Sequence, residues 1–400
     1  MNITKKTNTI YLFIMGSYFA ANSTYTSFGN LFMINRGFSE SEFGLILSFS
    51  SLLTLFLQYV SGEVLERSDR LNLKNLNQYL ILLTLACIFF LFITHSFLIT
   101  AILYMVTFAL MLNFIPLLNS LYVNYSQLGY DITFDVPRSF GSLTFGLTAL
   151  FLGSFLKDYG SEWMVVITMI LLILMFFFVS LLPDEDRAAR SKLEGEDVSS
   201  ESRVSLGKEG LLRFLSWFML GVAMFYTMHN ITSSYMLQIV GTAGGDESHV
   251  GVAMAIMAFV EIPIVAGYSK LAERFSHEKL LMFSAVGFIL RNGILTFATS
   301  IAGIYLSQSL QMIAFGLHLV AIVQFTNHIL DRKDAVRGQI YISMASTAGG
   351  IIGNVAGGLF IENVSVQSAL LFGFIATLIG STSFFLGLRK TRQLKKVESR

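Results

Sequence analysis

Charged residues are scarce in this sequence. Asp, Glu, Lys and Arg make up 13% of its 400 residues, against roughly 25% in an ordinary soluble domain. The 27 basic and 26 acidic side chains nearly cancel, for a net +1, which excludes the positive field that nucleic-acid binding needs. Cysteine is limited to Cys87, which excludes an internal disulfide and a thiolate metal site. No phosphate-cradling glycine loop is present, and Gly244-Gly245-Asp246 reads as a turn. Without an ATP motor, active transport would draw on an ion gradient. No metal-ligand cluster and no nucleophile–base set converges, so neither an enzyme nor a cofactor or metal is expected. A cleavable leader is not expected either, because the first apolar run exceeds a signal-peptide core and no small-residue cleavage site follows.

Apolar length is abundant. Hydrophobic residues make up 54% of the chain, with a mean hydropathy of +0.65. A spanning helix takes about 20 apolar residues, and twelve such runs occur: Ile10–Met33, Ser41–Leu65, Leu76–Ile93, Phe97–Leu121, Ser139–Leu156, Trp163–Leu182, Leu211–Val240, Val250–Leu271, Leu280–Ala298, Ile301–Phe325, Gln339–Ile361 and Ala369–Leu388. They are long and do not alternate, which favours helices over barrel strands. With the N-terminus inside, 23 of the 27 Lys and Arg fall on the cytoplasmic side; Arg36 and Lys157 fall outside, and Arg138 and Arg291 lie in helices. The positive-inside rule then predicts both termini in the cytoplasm of a multi-pass protein of the cell membrane.

One stretch breaks the pattern. Residues 183–210 are polar and charged, and read as a cytoplasmic linker between an N-terminal six-helix half, 1–182, and a C-terminal half, 211–400, that ends in a short basic tail. The halves echo each other. Glu66-Arg67 and Glu273-Arg274 follow the second and eighth runs, 207 residues apart, and Gly153-Ser154-Phe155-Leu156 is matched by Gly358-Leu359-Phe360-Ile361. Two six-helix halves in parallel repeat are a transporter arrangement.

These features resemble the major facilitator superfamily. The turn Gly62-x-x-x-Glu66-Arg67 resembles its signature loop between helices two and three, with Glu for the usual Asp and Ser68-Asp69 in place of the following glycine. Pro116-Leu117-Leu118-Asn119-Ser120-Leu121, followed by Arg138-Ser139-Phe140-Gly141-Ser142, resembles a pattern of the branch holding lactose permease, nucleoside–proton symporters and phenylpropionate permease. Val260-Glu261-Ile262 and Leu290-Arg291-Asn292 resemble that branch's intramembrane Glu and Arg, and His318 its helix-ten histidine. The resemblance implies an all-α membrane fold of twelve helices in two halves that moves a small solute by alternating access. The sequence departs from lactose permease at Gln311, Ala314 and Asn119, and lacks Asp or Lys in the middle of runs seven and eleven.

Glu261 and Arg291 are charges deep in apolar runs. Such a charge costs at least about 2.5 kcal/mol unless it meets a partner or a water-filled cavity. Helical rise places them about 16 Å and 10 Å from the outer face. Glu261 is a candidate proton carrier; Arg291 always keeps its charge and can set a neighbour's state or bind a carboxylate. A purely structural ion pair between them is the competing reading. His229 and His318 are candidates for solute or proton contact, against the commoner hydrogen-bonded histidine. Arg138 reads either as a clamp facing Asn119 or as a positive-inside anchor. Asn22, Tyr25, Gln58, Asn113, Tyr226, Asn230 and Asn354 supply neutral hydrogen-bonding groups, which suit a sugar and also serve as interhelical glue. Gly62, Glu66 and Arg67 form the expected conformational-switch loop. The glycines of run eleven read as a close-packing face.

The leading expectation is a monomeric proton-coupled symporter whose partners are protons, the lipid bilayer and a small polar solute, a sugar or oligosaccharide first. Uptake of an aromatic or organic acid or a nucleoside is the alternative, then drug–proton antiport, and outside transport a membrane sensor or scaffold.

Overall fold

The computed structural model describes residues 3–67, 71–184, 207–330 and 332–398. Every regular element among them is a helix: α1 Ile3–Asn35, α2 Glu40–Arg67, α3 Leu73–Ile93, α4 Phe97–Gln127, α5 Asp135–Tyr159, α6 Trp163–Ser180, α7 Gly207–Ser234, α8 Met236–Thr242, α9 Glu247–Ala272, α10 His277–Phe297, α11 Ile301–Ser309, α12 Phe315–Ile329, α13 Arg332–Asn363 and α14 Val366–Glu398. Among the described residues, ten spans are long and apolar enough to cross a membrane: α2 to α6, α9, α10, α11 with α12, α13 and α14. The α1 and α7 helices are not among them, although the sequence expected spans there. The α1 helix carries the polar run 22–27, and in α7 the side chains of 207–214, where the expected run begins, lie outside those described. Most of the expected linker, 185–206, lies outside the described residues.

Local chemistry sets the helix ends. The side chain of Asn72 caps α3 by accepting from the Asn75 N–H at 2.8 Å, and Ser276 caps α10 through the Lys279 N–H at 3.4 Å. Gly160 ends α5 at φ +94°, a conformation that favours glycine.

The chain gathers into two compact units. The first holds α1 to α6 and residues 246–259. In it α1 packs on α5 and α6, and α3 on α4 and α6. The two basic residues expected outside are both ion-paired here: Arg36 with Glu162, and Lys157 with Asp246, each at 2.7 Å. The second unit holds α7, α8 and the chain from Val260 onward. Its α7 packs on α13 and α14, and α10 on α12 and α14, so it repeats the pairing of the first. Its core is aromatic, built from Phe218, Phe225, Phe288, Phe325 and Phe384. Lipid tails are as apolar as these rings, so tight packing rather than escape from water holds the helices together. The α13 glycines serve this: a methyl on Gly349 or Gly353 would collide with the backbone of Ala223 or Thr227 on α7.

Candidate intramembrane polar site

The second unit places its charges at mid-helix. Arg291 on α10 is completely buried. Its Nη1 donates to Asn292 Oδ1 at 2.9 Å and its Nη2 to Gln308 Oε1 at 3.0 Å. Asn292 Nδ2 continues to Thr377 Oγ1 on α14 at 2.8 Å, and Ser307 Oγ donates to the Arg291 carbonyl at 3.0 Å. The guanidinium thereby ties α10, α11 and α14 together, and its Nε makes no hydrogen bond. Glu261 on α9 is half-buried, and its Oε1 accepts from Gln311 Nε2 at 2.9 Å. Each charge is thus met by a neutral amide of the Ile301–Ile329 span.

The histidines differ in setting. His229 on α7 stacks on Phe315, with ring centroids 4.2 Å apart and planes 8° from parallel, and Tyr226 stands beside both at 5.9 and 5.6 Å. His318 on α12 sits among the edges of Phe225, Phe288 and Phe384 at 5.2–5.6 Å, and neither ring nitrogen has a hydrogen-bond partner. A cavity of ≈ 210 Å³ borders Tyr226, His318, Gln339, Ser343 and Ser346. Two more candidates, on α7 and α13, are hydrogen-bonded to neighbouring groups. Asn230 Nδ2 donates to the Tyr226 carbonyl at 2.9 Å. Asn354 accepts from Ser234 Oγ at 2.8 Å and, through its backbone carbonyl, from the Tyr235 hydroxyl at 2.7 Å.

The first unit holds the remaining candidates separately. Asn22 Oδ1 accepts from Thr26 Oγ1 at 3.5 Å. Tyr25 stacks on Tyr104 at 5.1 Å. Asn119 is half-buried on α4. Arg138 lies 4.4 Å from the centroid of the Phe19 ring and donates to Ser142 Oγ at 3.0 Å. In the turn expected to act as a switch, Gly62 is exposed and open around its Cα, and Arg67 pairs with Glu63 one helical turn earlier. The side chain of Glu66 lies outside the described residues.

Sequence reasoning missed the amides. Gln308 and Thr377 went unremarked, Asn292 figured only inside a motif, and Gln311 stood out only as a departure from lactose permease. The signal was available: two glutamines three residues apart in an apolar run share a helix face. Among the described residues, no group of three His, Cys, Asp or Glu side chains is placed to hold a metal ion.

The MFS_1-like family model matches residues 7–372. Sequence comparison with curated proteins gives no match. Among solved structures, the fold is similar to the nucleoside transporter NupG, with a TM-score of 0.78 and 15% identity over 97% of this chain and 99% of that one. It is also similar to the POT family transporter PepTSo, at 0.70 and 12% over 97% and 99%. A third likeness is to a bacterial homologue of the human lysosomal transporter Spinster, at 0.67 and 14% over 97% and 98%. With a family match across nearly its whole length and a helical membrane architecture shared with these transporters, the chain belongs to the MFS_1-like family and is a multi-pass membrane transporter rather than an enzyme.

Proposed function

We propose that this transporter is a proton-coupled symporter that imports a small polar organic solute, a sugar or oligosaccharide first, by alternating access of two six-helix halves, 1–182 and 211–400. One contrast carries the reading. Arg291 is sealed and multiply hydrogen-bonded, whereas Glu261 is half-buried and accepts from a neutral amide. A sealed cation is a fixed charge. A carboxylate that keeps some access can exchange a proton with water. Asn22, Tyr25, Asn119, Asn230 and Asn354, with Arg138, offer hydrogen bonds to a hydroxylated solute. Gly62, Glu66 and Arg67 form the switch loop. The lysine and arginine bias supports placement of a monomer in the cell membrane with both termini cytoplasmic.

A second reading, uptake of a nucleoside or aromatic acid, is favoured by the stacked His229–Phe315 pair beside Tyr226, a surface suited to a flat ring. The fold similarity to a nucleoside transporter points the same way.

Proteoliposome uptake of radiolabelled sugars, nucleosides and aromatic acids, with and without an imposed pH gradient, separates these readings. Glu261→Gln should lose accumulation yet retain exchange of solute across the membrane, because an amide hydrogen-bonds but carries no exchangeable acid proton. Full gradient-driven uptake by this variant would eliminate Glu261 as carrier and pass the role to His318.

A further inference from the structure

The apolar run that begins at Ile301 does not fold as one helix. The α11 helix stops at Ser309, Leu310–Met312 form a 3-10 turn, and Ala314 leaves helical geometry at φ −83° and ψ −89° before α12 begins. The α10 helix presses on this break: a methyl on Gly287 would stand 2.7 Å from the Ile313 carbonyl oxygen. Gln308 precedes the interruption and Gln311 lies within its 3-10 turn, and both are fully buried. They meet opposite charges, and each presents the matching end of its amide. Gln308 gives its oxygen to Arg291, and Gln311 gives its N–H to Glu261. Gly316, in the first turn of α12, leaves room for the acid. A methyl there would lie 3.4 Å from Glu261 Cγ and 2.8 Å from Ile264 Cγ2. The other end of the Gln311 amide, Oε1, is buried and makes no hydrogen bond.

That idle oxygen has a use in the other state of Glu261. A carboxylate only accepts hydrogen bonds, whereas a carboxylic acid also donates one. An amide offers both a donor and an acceptor. We propose that Gln311 is a positioning residue that follows the protonation state of Glu261: its Nε2–H donates to the carboxylate, and after a half-turn of the amide its Oε1 accepts the O–H of the acid. The inference rests on the reading of Glu261 as proton carrier. The proton arrives from water and returns to water, and no bond in Gln311 is made or broken. Both states are then satisfied where an unpaired polar group would be costly. A lysine at this position would serve only the carboxylate. Gln311 also stands where the backbone ladder of the span is already interrupted, so turning its amide acts on the least regular point of that span. Other groups share the neighbourhood: Arg291 on α10 and Tyr226 on α7 feel the charge of Glu261, and His229 on α7 feels that of Arg291. His318 lies on α12. Of these side chains, Gln311 is the one with a donor on Glu261 and an idle acceptor in the same group.

Infrared difference spectroscopy of the full-length protein in proteoliposomes, titrated with protons alone, tests this without a solute. The wild type should show a carboxylic-acid carbonyl band that Glu261→Gln removes. In Gln311→Met, close in shape but without an amide, that band should shift to higher wavenumber because the acid loses its acceptor. A merely structural role for Gln311 would leave it in place. Gln311→Asn keeps an amide but sets it one methylene out of reach, so the same shift is expected if the methionine variant fails to insert. A Glu261 band unmoved in the variants overturns the role of Gln311 and leaves the carrier reading standing. The absence of any Glu261-dependent band in the wild type overturns the carrier reading itself.

Discussion

Replacing Arg291 with lysine should damage the protein more than its conservative appearance suggests. The guanidinium is wholly buried and uses two nitrogens at once, Nη1 on Asn292 at 2.9 Å and Nη2 on Gln308 at 3.0 Å. A lysine ammonium is a point charge on a flexible stem and cannot reproduce a planar fork. The substituted side chain would keep the burial cost of a full charge while holding one amide oxygen and abandoning the other. A lost hydrogen bond to a charged group is worth about 1.5–3 kcal/mol. Arg291→Met loses both bonds, but it removes the buried charge, whose desolvation costs several kcal/mol. The two effects oppose each other in methionine, whereas lysine loses a bond and recovers none of the desolvation cost. Arg291→Lys should therefore be destabilised by about 2–3 kcal/mol, and at least as much as Arg291→Met. Thermal unfolding in nanodiscs, followed by tryptophan fluorescence, reads this as a fall of several degrees, at roughly 2–4 °C per kcal/mol for a body of this size. A lysine variant as stable as the wild type would refute the fork as the reason arginine stands there.

At the α8–α9 loop, donors from Lys157, Ser248 and His249 hold the Asp246 carboxyl well below the usual carboxylate range. Its stabilising contribution is fully present above the ordinary carboxylate value and is lost only as pH falls through the lowered one. Asp246→Ala should remove a cap worth about 1 kcal/mol at neutral pH, together with the ion pair to Lys157, and hydrogen exchange at Ser248 and His249 should quicken. Unchanged exchange would refute the cap. Gly353→Ala should cost about 1–3 kcal/mol by overpacking against α7, whereas Gly62→Ala meets nothing within 4 Å and should be silent in the same melting assay. For topology, with Cys87 replaced by serine, an impermeant thiol reagent added outside should label a cysteine at Gly244 and spare one at Ser199. Labelling of Ser199→Cys in intact cells would overturn the orientation.

Much of this protein was legible in one dimension. Spanning a bilayer forces long apolar runs, because backbone polar groups without water must be satisfied within a helix. Ten of the twelve runs therefore return as helices long and apolar enough to span, among the described residues. Glu261 and Arg291 were conspicuous for the same reason: charge in an apolar run is rare on energetic grounds. Partnership was not legible. Counting residues along two helices gives depth but not azimuth, so the sequence left a direct Glu261–Arg291 pair open as a competing reading. In the fold, Arg291 turns to Asn292 and Gln308, while Gln311 reaches Glu261. The break between α11 and α12 was equally hidden, since no proline marks residues 301–325. It depends on Gly287 of α10 admitting the Ile313 carbonyl. Hydropathy reports what a residue costs in lipid. Which neutral group offsets that cost is set by helix rotation and packing, and these exist only once the helices have come together.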